Sequence, residues 1–325
     1  MLYSLAMSDA SPTHQPVTAL NASSSWPLWR RLLLNFGTIY FALYFLLVGQ
    51  PLLPLIPSHT RFALADGVDR LLFHRPLPTP LSAGSGDTSQ DWALALLGLL
   101  LSLLLGALWT VLRRREPSQR QLSALSVGLR AALIFWLYSY GSIKFNFGQF
   151  GLLAPGQLSH TYGESSPMFL LWTFMAASPG YQIVAGGAEV LPALLLLHRR
   201  TVTLGALIAA VTLTNVFALN MLYDVPVKLF SFHLLLAATV LVAFDHARLL
   251  AILTGGAVPA QEWPRRLKLV GWAGWAVTAL GLCYVGLTTV HGLETLRRDQ
   301  VDTRVSPAPL KTRGFHWVNE YPYNR

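Results

Sequence analysis

The stretch "TVTLGALIAAVTLTNVFALNMLYDVPVKLFSFHLLLAATVLVAF", residues 201–244, decides the fold. Two long apolar runs flank a short polar junction, and a run of about 20 apolar residues is long enough to cross a bilayer as a helix. Across the whole chain 53% of residues are apolar and 12% are charged, about half the charged share of an average soluble domain. The sequence therefore predicts an all-α integral membrane protein that lies in a lipid bilayer.

Seven membrane-spanning helices are predicted from the apolar runs. The first follows Arg31 and ends near Val48, and the others cover 92–112, 122–143, 179–197, 201–222, 227–245 and 268–290. A shorter helix is predicted over 167–177, with Ser166 as its N-cap and Pro167 at its first position. An amphipathic piece near 61–74 is predicted to lie on the membrane surface, and residues 246–266 are predicted to be a polar loop.

These helices divide the chain into five parts. Residues 1–25 are expected to form a disordered tail, and 26–112 two helices with an outer loop. Residues 118–250 hold four helices, 251–290 hold a loop and the seventh helix, and 291–325 form a polar tail outside the membrane.

Lys and Arg residues give an expected orientation. Twelve of them fall on one side of the predicted spans, against five on the loops of the other side. Cytoplasmic loops carry this excess, so we expect a bacterial cytoplasmic membrane protein with its N-terminus inside and its C-terminus outside. The same asymmetry explains the net charge of +9 without a nucleic-acid partner. A single cysteine, Cys283, and the absence of CxxC exclude thiol–disulfide exchange within the chain.

Ionisable residues inside the predicted spans need a physical reason, because charge is costly in hydrocarbon. Arg130 and Glu189 each lie roughly 14 Å from one edge of the membrane at 1.5 Å per residue, so they are predicted to pair. The pair could fix helix packing, or Glu189 could handle protons. His233 is either a hydrogen-bonded core residue or a proton carrier. Lys144, at the end of the third helix, either reaches the interface or binds a ligand.

Two further features leave alternatives open. In "AGGAEVLP", residues 185–192, small side chains allow close approach of a backbone or a ligand. Pro192 frees the carbonyl of Ala188, which can bind a ligand or leave a kink. At the junction, Asp224 and Lys228 lie at helix ends where their charges oppose the helix dipoles. They form either a capped hairpin or a polar site for an anionic or carbonyl-bearing ligand.

The segments "SYGSIKFNFGQF" and "YGESSPMFLLWTFMAASPGYQIVAGGAEVLPALLLL", residues 139–150 and 162–197, carry a family resemblance. Over roughly 85–250 the chain resembles DoxX-like bacterial membrane proteins. The resemblance implies a core of four transmembrane helices within 118–250, distantly like the membrane portion of the vitamin-K-dependent carboxylase group. One branch of the family contains the membrane subunit of a thiosulfate:quinone oxidoreductase, which implies a quinone as the cofactor.

What the resemblance implies for this chain is a ligand site in the outer half of the bundle. The candidate residues are Lys144, Glu164, Glu189, Asn220, Asp224 and Lys228, with Tyr140 and His233 as further candidates for hydrogen bonding and proton transfer. No catalytic residue is assigned, no metal site is predicted, and the sequence leaves open whether the protein is an enzyme.

Three functions remain in competition. The first is a redox-associated subunit that binds a quinone or a similar lipid-soluble carrier and contacts a redox partner protein on the outer side. The second is a non-enzymatic scaffold or assembly partner, with the tail "TRGFHWVNEYPYNR" as its docking element. A transporter ranks third, because no inverted repeat relates the two halves of the chain.

Overall fold

The computed structural model describes residues 26–48, 55–77, 87–113, 119–153 and 155–259, together with the isolated positions 287, 290 and 294. All regular structure within these ranges is helical. The helices are α1 (Leu28–Leu47), α2 (Ser58–Phe73), α3 (Ser89–Leu112), α4 (Gln119–Phe145), α5 (Pro155–Leu158), α6 (Pro167–Ala177), α7 (Pro179–Leu197), α8 (Val202–Leu222), α9 (Lys228–Phe244) and α10 (His246–Leu253), with a 3-10 turn at Tyr162–Glu164.

Four of the described helices, α3, α4, α7 and α8, are long and apolar enough to cross a membrane. Helices α9 and α10 together form a fifth candidate span, broken by a bend of 69°. The predicted count of seven is therefore not confirmed. Helix α1 is not among the candidate spans, and the helix predicted over 268–290 lies outside the described ranges apart from positions 287 and 290. The tails predicted for residues 1–25 and 291–325 also lie outside the described ranges, with the exception of Glu294.

The order of packing places four helices in one bundle. Helix α4 packs along α7, α7 along α8, α8 along α9, and α9 returns to α4. These helices correspond to the four predicted between residues 118 and 250. Helices α1 and α3 form a second pair, tied to α4 where Asn35 donates to Thr110 at 2.8 Å and accepts from Gln121 at 2.7 Å.

The two ends of the bundle differ in their contacts. We call the end where α8 meets α9 the junction end. At the opposite end, the Thr203 hydroxyl on α8 donates to the Asp245 carboxylate at 2.6 Å. The polar loop predicted over 246–266 is wrong for residues 246–253, because Asp245 is followed directly by the helix α10. Residues 254–259 are not helical, and 260–266 lie outside the described ranges.

Helices α4 and α7 approach closely because glycine faces glycine. A Cβ atom added to Gly141 would lie 2.8 Å from the carbonyl oxygen of Gly186, and one added to Gly186 would lie 2.7 Å from that of Gly141. Real side chains do not fit at such distances, so both positions need glycine. The small residues in 185–188 were predicted to allow close approach of a backbone or a ligand. At Gly186 it is the backbone of α4 that approaches.

Helices α6 and α7 begin where the sequence predicts. The Ser166 hydroxyl accepts a hydrogen bond from the amide of Phe169 at 3.2 Å and starts α6. Ser178 caps α7 in the same way, with proline at the first helical position of both helices. Such caps satisfy amides that the helix itself leaves without partners. The predicted helices 167–177 and 179–197 are confirmed.

Pro192 frees the Ala188 carbonyl, and the structure shows which group uses it. The hydroxyl of Thr212 on α8 donates to this oxygen at 3.1 Å. The interruption in α7 therefore supports an interhelical hydrogen bond instead of leaving an open acceptor for a ligand. This bond joins α7 to α8 directly beside Glu189.

Candidate functional site

A buried ion pair joins α4 to α7. The Lys144 Nζ atom lies 2.6 Å from Oε2 of Glu189, and the two side chains are 7% and 5% exposed. The same Nζ atom lies 3.4 Å from the carbonyl oxygen of Tyr140 and 5.9 Å from the centre of the Phe150 ring. Both charges are therefore removed from solvent and are compensated mainly by each other.

The pair lines a cavity enclosed by α4, α7, α8 and α9 near the junction end. Its volume is about 60 Å³, enough for a few water molecules, since one water needs roughly 10–15 Å³ measured in this way. The lining residues are Trp136, Leu137, Tyr140, Lys144, Gln149, Glu189, Leu213, Val216, Asn220, Val227, Phe230, Ser231 and Leu234.

Three polar side chains on this cavity lack hydrogen-bond partners within the described part of the chain. The indole Nε1 of Trp136 and the amide oxygen of Gln149 are buried and unpartnered. Asn220 is buried, and no hydrogen bond of its side-chain amide is found among these residues. Buried polar groups in native proteins are nearly always paired with protein or water. Two donors and two acceptors are therefore available to whatever occupies the cavity.

The predicted Arg130–Glu189 pair is wrong, because each residue has another partner. Arg130 is buried at the opposite end of the bundle and donates to the carbonyl of Leu196 at 2.6 Å and to that of Leu197 at 3.3 Å. These carbonyls end α7 and carry the negative end of its dipole. The depth estimate failed because α4 and α7 are offset along their axes. A Cβ atom added to Gly141 would lie 3.2 Å from the Cβ atom of Glu189, so Glu189 lies about one turn from Lys144, whose side chain reaches it.

The Asp224–Lys228 junction has the geometry of a capped hairpin. The Lys228 Nζ atom lies 2.7 Å from the Asp224 carboxylate, whose side chain is 82% exposed. The backbone amides of Lys228 and Leu229, which begin α9, donate to the carboxylate of Asp87 at 2.8 and 2.9 Å. Asp87 thus accounts for the helix start, and the Lys228 ammonium lies 4.0 Å from the same carboxylate.

His233 lies on the face of α9 that meets α1, not among the residues that line the cavity. Its Nδ1 lies 2.7 Å from the carbonyl of Leu229 and its Nε2 lies 2.6 Å from the hydroxyl of Tyr40. Since a carbonyl can only accept, Nδ1 holds the proton and Nε2 accepts from Tyr40. The ring of Tyr44 stacks on the imidazole with centroids 3.5 Å apart. His233 is therefore a packed core residue whose two nitrogens are both engaged.

Glu164 lies on the surface, in the 3-10 turn between α5 and α6. The hydroxyl of Thr161 donates to its carboxylate at 2.6 Å, and this bond holds the pKa of Glu164 below its ordinary value. The carboxylate accordingly stays ionised at neutral pH and does not line the cavity.

The structure brings together part of the predicted site and separates the rest. Tyr140, Lys144, Glu189 and Asn220 line one cavity. Glu164, Asp224, Lys228 and His233 do not line it. Sequence reasoning missed Trp136 and Gln149. The missed signal for Trp136 was its spacing, because residues 136, 140 and 144 follow one another at i, i+4 and i+8 on one helix face.

Comparison with known proteins gives one distant relative. The chain is similar to "Uncharacterized protein YwoB" of Bacillus subtilis (strain 168), at 29% identity over 137 residues, which is 42% of this chain and 87% of the relative. No family model matches the chain. No solved structure matches it either. The DoxX-like resemblance thus stays a prediction.

Proposed function

We propose that this protein is a DoxX-like, redox-associated membrane subunit that binds the ring of a quinone or a similar lipid-soluble carrier in the cavity beside Lys144 and Glu189. The observation that carries the proposal is the combination of a buried ion pair with unpartnered donors and acceptors on one small cavity. The setting is a bacterial cytoplasmic membrane, with the N-terminus inside and the cavity in the outer half of the bundle.

The unpartnered groups match both forms of such a carrier. The carbonyl oxygen of an oxidised ring accepts hydrogen bonds, which the indole Nε1 of Trp136 and the ammonium of Lys144 can donate. The hydroxyl of the reduced ring donates, and the free amide oxygen of Gln149 accepts. The Asn220 amide has one group of each kind, and it can serve both forms.

The cavity volume limits what enters it. About 60 Å³ accommodates the polar edge of a ring, whereas a prenyl tail has to lie among the lipids. When a reduced ring is oxidised, the Glu189 carboxylate accepts one of the two protons released and water in the cavity accepts the other, while the two electrons pass to a separate redox partner protein. His233 has no part in this proposal, since its nitrogens are engaged by Tyr40 and Leu229.

The test is mass spectrometry of lipids extracted from protein purified in native membrane patches. Wild type is compared with Trp136→Phe, which removes the indole N–H, and Asn220→Leu, which removes the amide at similar volume. Asp224→Asn is the matched control, because it changes a polar group at the junction that does not line the cavity. We expect a quinone enriched with wild type and with the control, and at least tenfold less with the two cavity variants.

Two outcomes would overturn the proposal. One is the absence of any enriched carrier with wild type. The other is equal enrichment in all four proteins, which would assign the carrier to the lipid-facing surface. Either outcome would favour the scaffold alternative.

A further inference from the structure

A second concave surface lies between α1 and α4, away from the cavity. It is an open groove of about 400 Å³. Its α4 side falls within Arg120–Phe145, one of the helices long and apolar enough to cross a membrane. Each helix contributes five lining residues: Thr38, Phe41, Ala42, Phe45 and Leu46 on α1, and Ala124, Leu125, Gly128, Leu129 and Ala132 on α4.

The interior of the groove offers an occupant almost only hydrocarbon. Thr38 supplies the one polar side chain among the lining residues, and its hydroxyl donates to the carbonyl of Leu34 at 2.7 Å. Ala42, Ala124 and Gly128 are exposed, so the groove opens to the surroundings of the helices, which are lipid tails around a membrane span. The part of a ligand that suits this surface is an alkyl chain.

Two arginines continue the lining toward the end of the bundle where α1 and α4 begin. Arg31 precedes Thr38 by seven residues and Arg120 precedes Ala124 by four. At these spacings each arginine lies on nearly the same helix face as the lining residue that follows it. At 1.5 Å per residue they lie roughly 10 and 6 Å beyond the groove along their helices. A ligand with its chain in the groove therefore has its end beside two guanidinium groups.

The two arginine-bearing turns lie side by side. Gln121, which directly follows Arg120, donates to Asn35 at 2.7 Å, and Asn35 is one turn from Arg31. The Nη2 atom of Arg31 also donates to the carbonyl of Arg113 at 2.7 Å, which fixes this guanidinium at the end of α3 and leaves its other N–H donors for an anion. Among the residues that the structure describes, neither Arg31 nor Arg120 forms an ion pair with a carboxylate.

Exposed side chains mark this end of α1 as a membrane–water interface. The indole of Trp29 is exposed, and the guanidinium of Arg30 lies 5.2 Å from the centre of its ring. Leu33, one turn further along the helix, is exposed as well. Tryptophan is enriched at the level of lipid headgroups, with apolar side chains on the hydrocarbon side of it. The arginines thus lie at headgroup level, and the groove lies in the adjoining hydrocarbon.

We propose that the groove binds an anionic phospholipid, with one acyl chain between α1 and α4 and the phosphate on Arg31 and Arg120. Arginine holds phosphate through two parallel N–H···O bonds. Basic pockets between membrane helices on the cytoplasmic side bind such headgroups, and this is the side that the Lys and Arg distribution predicts to be cytoplasmic. A second copy of the chain suits the groove less well, because a parallel dimer would bring like charges together. The inference does not depend on the proposed function, since the groove shares no residue with the cavity.

The test is native mass spectrometry of the full chain released from nanodiscs that contain equal amounts of phosphatidylcholine and phosphatidylglycerol with identical acyl chains. The variant Arg31→Gln/Arg120→Gln removes both charges beside the groove. Its matched control is Arg199→Gln/Arg200→Gln. The control removes two exposed charges at the same end of the bundle, directly after α7, from positions that do not line the groove.

A second pair of variants tests the place of the acyl chain. Gly128→Leu fills the groove, and a Cβ atom at this position meets no atom within 4 Å, so the leucine is accommodated without moving the backbone. Gly37→Leu is the matched control. Its Cβ atom also meets open space, and residue 37 lies on α1 outside the lining.

We expect wild type and both controls to retain phosphatidylglycerol in preference to phosphatidylcholine. Each basic residue beside an anionic headgroup strengthens binding about fivefold, so the double arginine variant should retain phosphatidylglycerol at least about tenfold less. Gly128→Leu should lose the retained lipid to a similar extent, although all charges remain.

Three outcomes would overturn the proposal. The first is equal retention of the two lipids by wild type, and the second is a loss in the controls as large as in the variants. The third is a lipid-free dimer that Gly128→Leu abolishes, which would assign the groove to a second copy of the chain. Because Arg31 also holds α1 to α3, Arg120→Gln alone is measured as well. It should lower retention about fivefold, and unchanged retention would contradict the proposal even if the double variant does not fold.

Discussion

Removing one partner of the Lys144–Glu189 pair should destabilise the protein strongly, whereas removing both should not. The variants are Lys144→Met, Glu189→Gln and the double variant. Methionine keeps the length of the lysine side chain without its charge, and glutamine keeps the shape of glutamate. Each single variant leaves one charge buried beside a small cavity, and the double variant leaves none.

The magnitude follows from the geometry. Two unit charges 2.6 Å apart interact by about 6 kcal/mol at an effective dielectric constant of 20. Loss of hydration on burial offsets much of this attraction, so the net value of the intact pair is small. Breaking a buried pair by removing one partner typically costs about 3–5 kcal/mol. We expect about 3 kcal/mol for each single variant, because water in the cavity can hydrate the remaining charge, and less than about 1.5 kcal/mol for the double variant.

The assay is reversible unfolding in mixed micelles, followed by circular dichroism, for wild type and the three variants. A double-mutant cycle then gives a coupling free energy, expected to exceed about 3 kcal/mol. Additive losses in the double variant would refute the reasoning, since they would mean that the two charges do not compensate each other. Losses below about 0.5 kcal/mol in both single variants would show that the pair behaves as an exposed one.

Three further predictions concern the contact of α4 with α7, the cap of α9 and a surface carboxylate on α2. Gly186→Ala should lower the free energy of unfolding by about 1–3 kcal/mol in the same assay, because the added Cβ atom would lie 2.7 Å from a backbone oxygen of α4. The control Gly187→Ala places its Cβ atom in open space and should lower it by no measurable amount. Asp87→Ala removes the cap of α9 and should cost about 0.5–2 kcal/mol while leaving carrier enrichment in the lipid extract unchanged. Arg70 and the amide of Leu77 bind the carboxylate of Asp66 and lower its pKa. The ionised carboxylate therefore stabilises its contact with Leu77 at pH values above its ordinary pKa of about 3.9, and this stabilisation is lost as the pH falls through the lowered value. Amide exchange at Leu77, corrected for its intrinsic pH dependence, should therefore accelerate below that range in wild type, and an Asp66→Asn variant that still showed the acceleration would contradict this assignment.

Local signals in the sequence predicted the helices well, because each signal acts within a few residues. Ser166 and Ser178 stand one residue before a proline, and each starts a helix at that proline. Pro192 was correctly expected to free the carbonyl of Ala188. The use of that carbonyl by Thr212 was not predictable, because it depends on how α8 lies against α7.

The pairing of charges could not be predicted, since it depends on the offset between helices. Counting residues from helix ends assumed that α4 and α7 end at one level. The contact of Gly141 with Gly186 sets a different offset, and it brings Lys144 to Glu189. Asp87 shows the same difficulty at longer range, because it caps a helix that begins 141 residues later in the chain. No local pattern records such a contact.

Helix α4 holds two buried cations, and their different surroundings separate a structural role from a binding role. The guanidinium of Arg130 donates to the carbonyls that end α7, in a position where the helix dipole favours positive charge. Within the described part of the chain, Lys144 has one carboxylate partner and lies on a cavity that also carries the unpartnered indole Nε1 of Trp136 and the unpartnered amide oxygen of Gln149. Because a buried ion pair adds little net stability over well-packed apolar residues, packing alone gives little reason to keep Lys144, Glu189, Trp136 and Asn220 around an open space. A ligand that completes their hydrogen bonds supplies that reason, and it is the same ligand whose loss the Trp136→Phe variant measures.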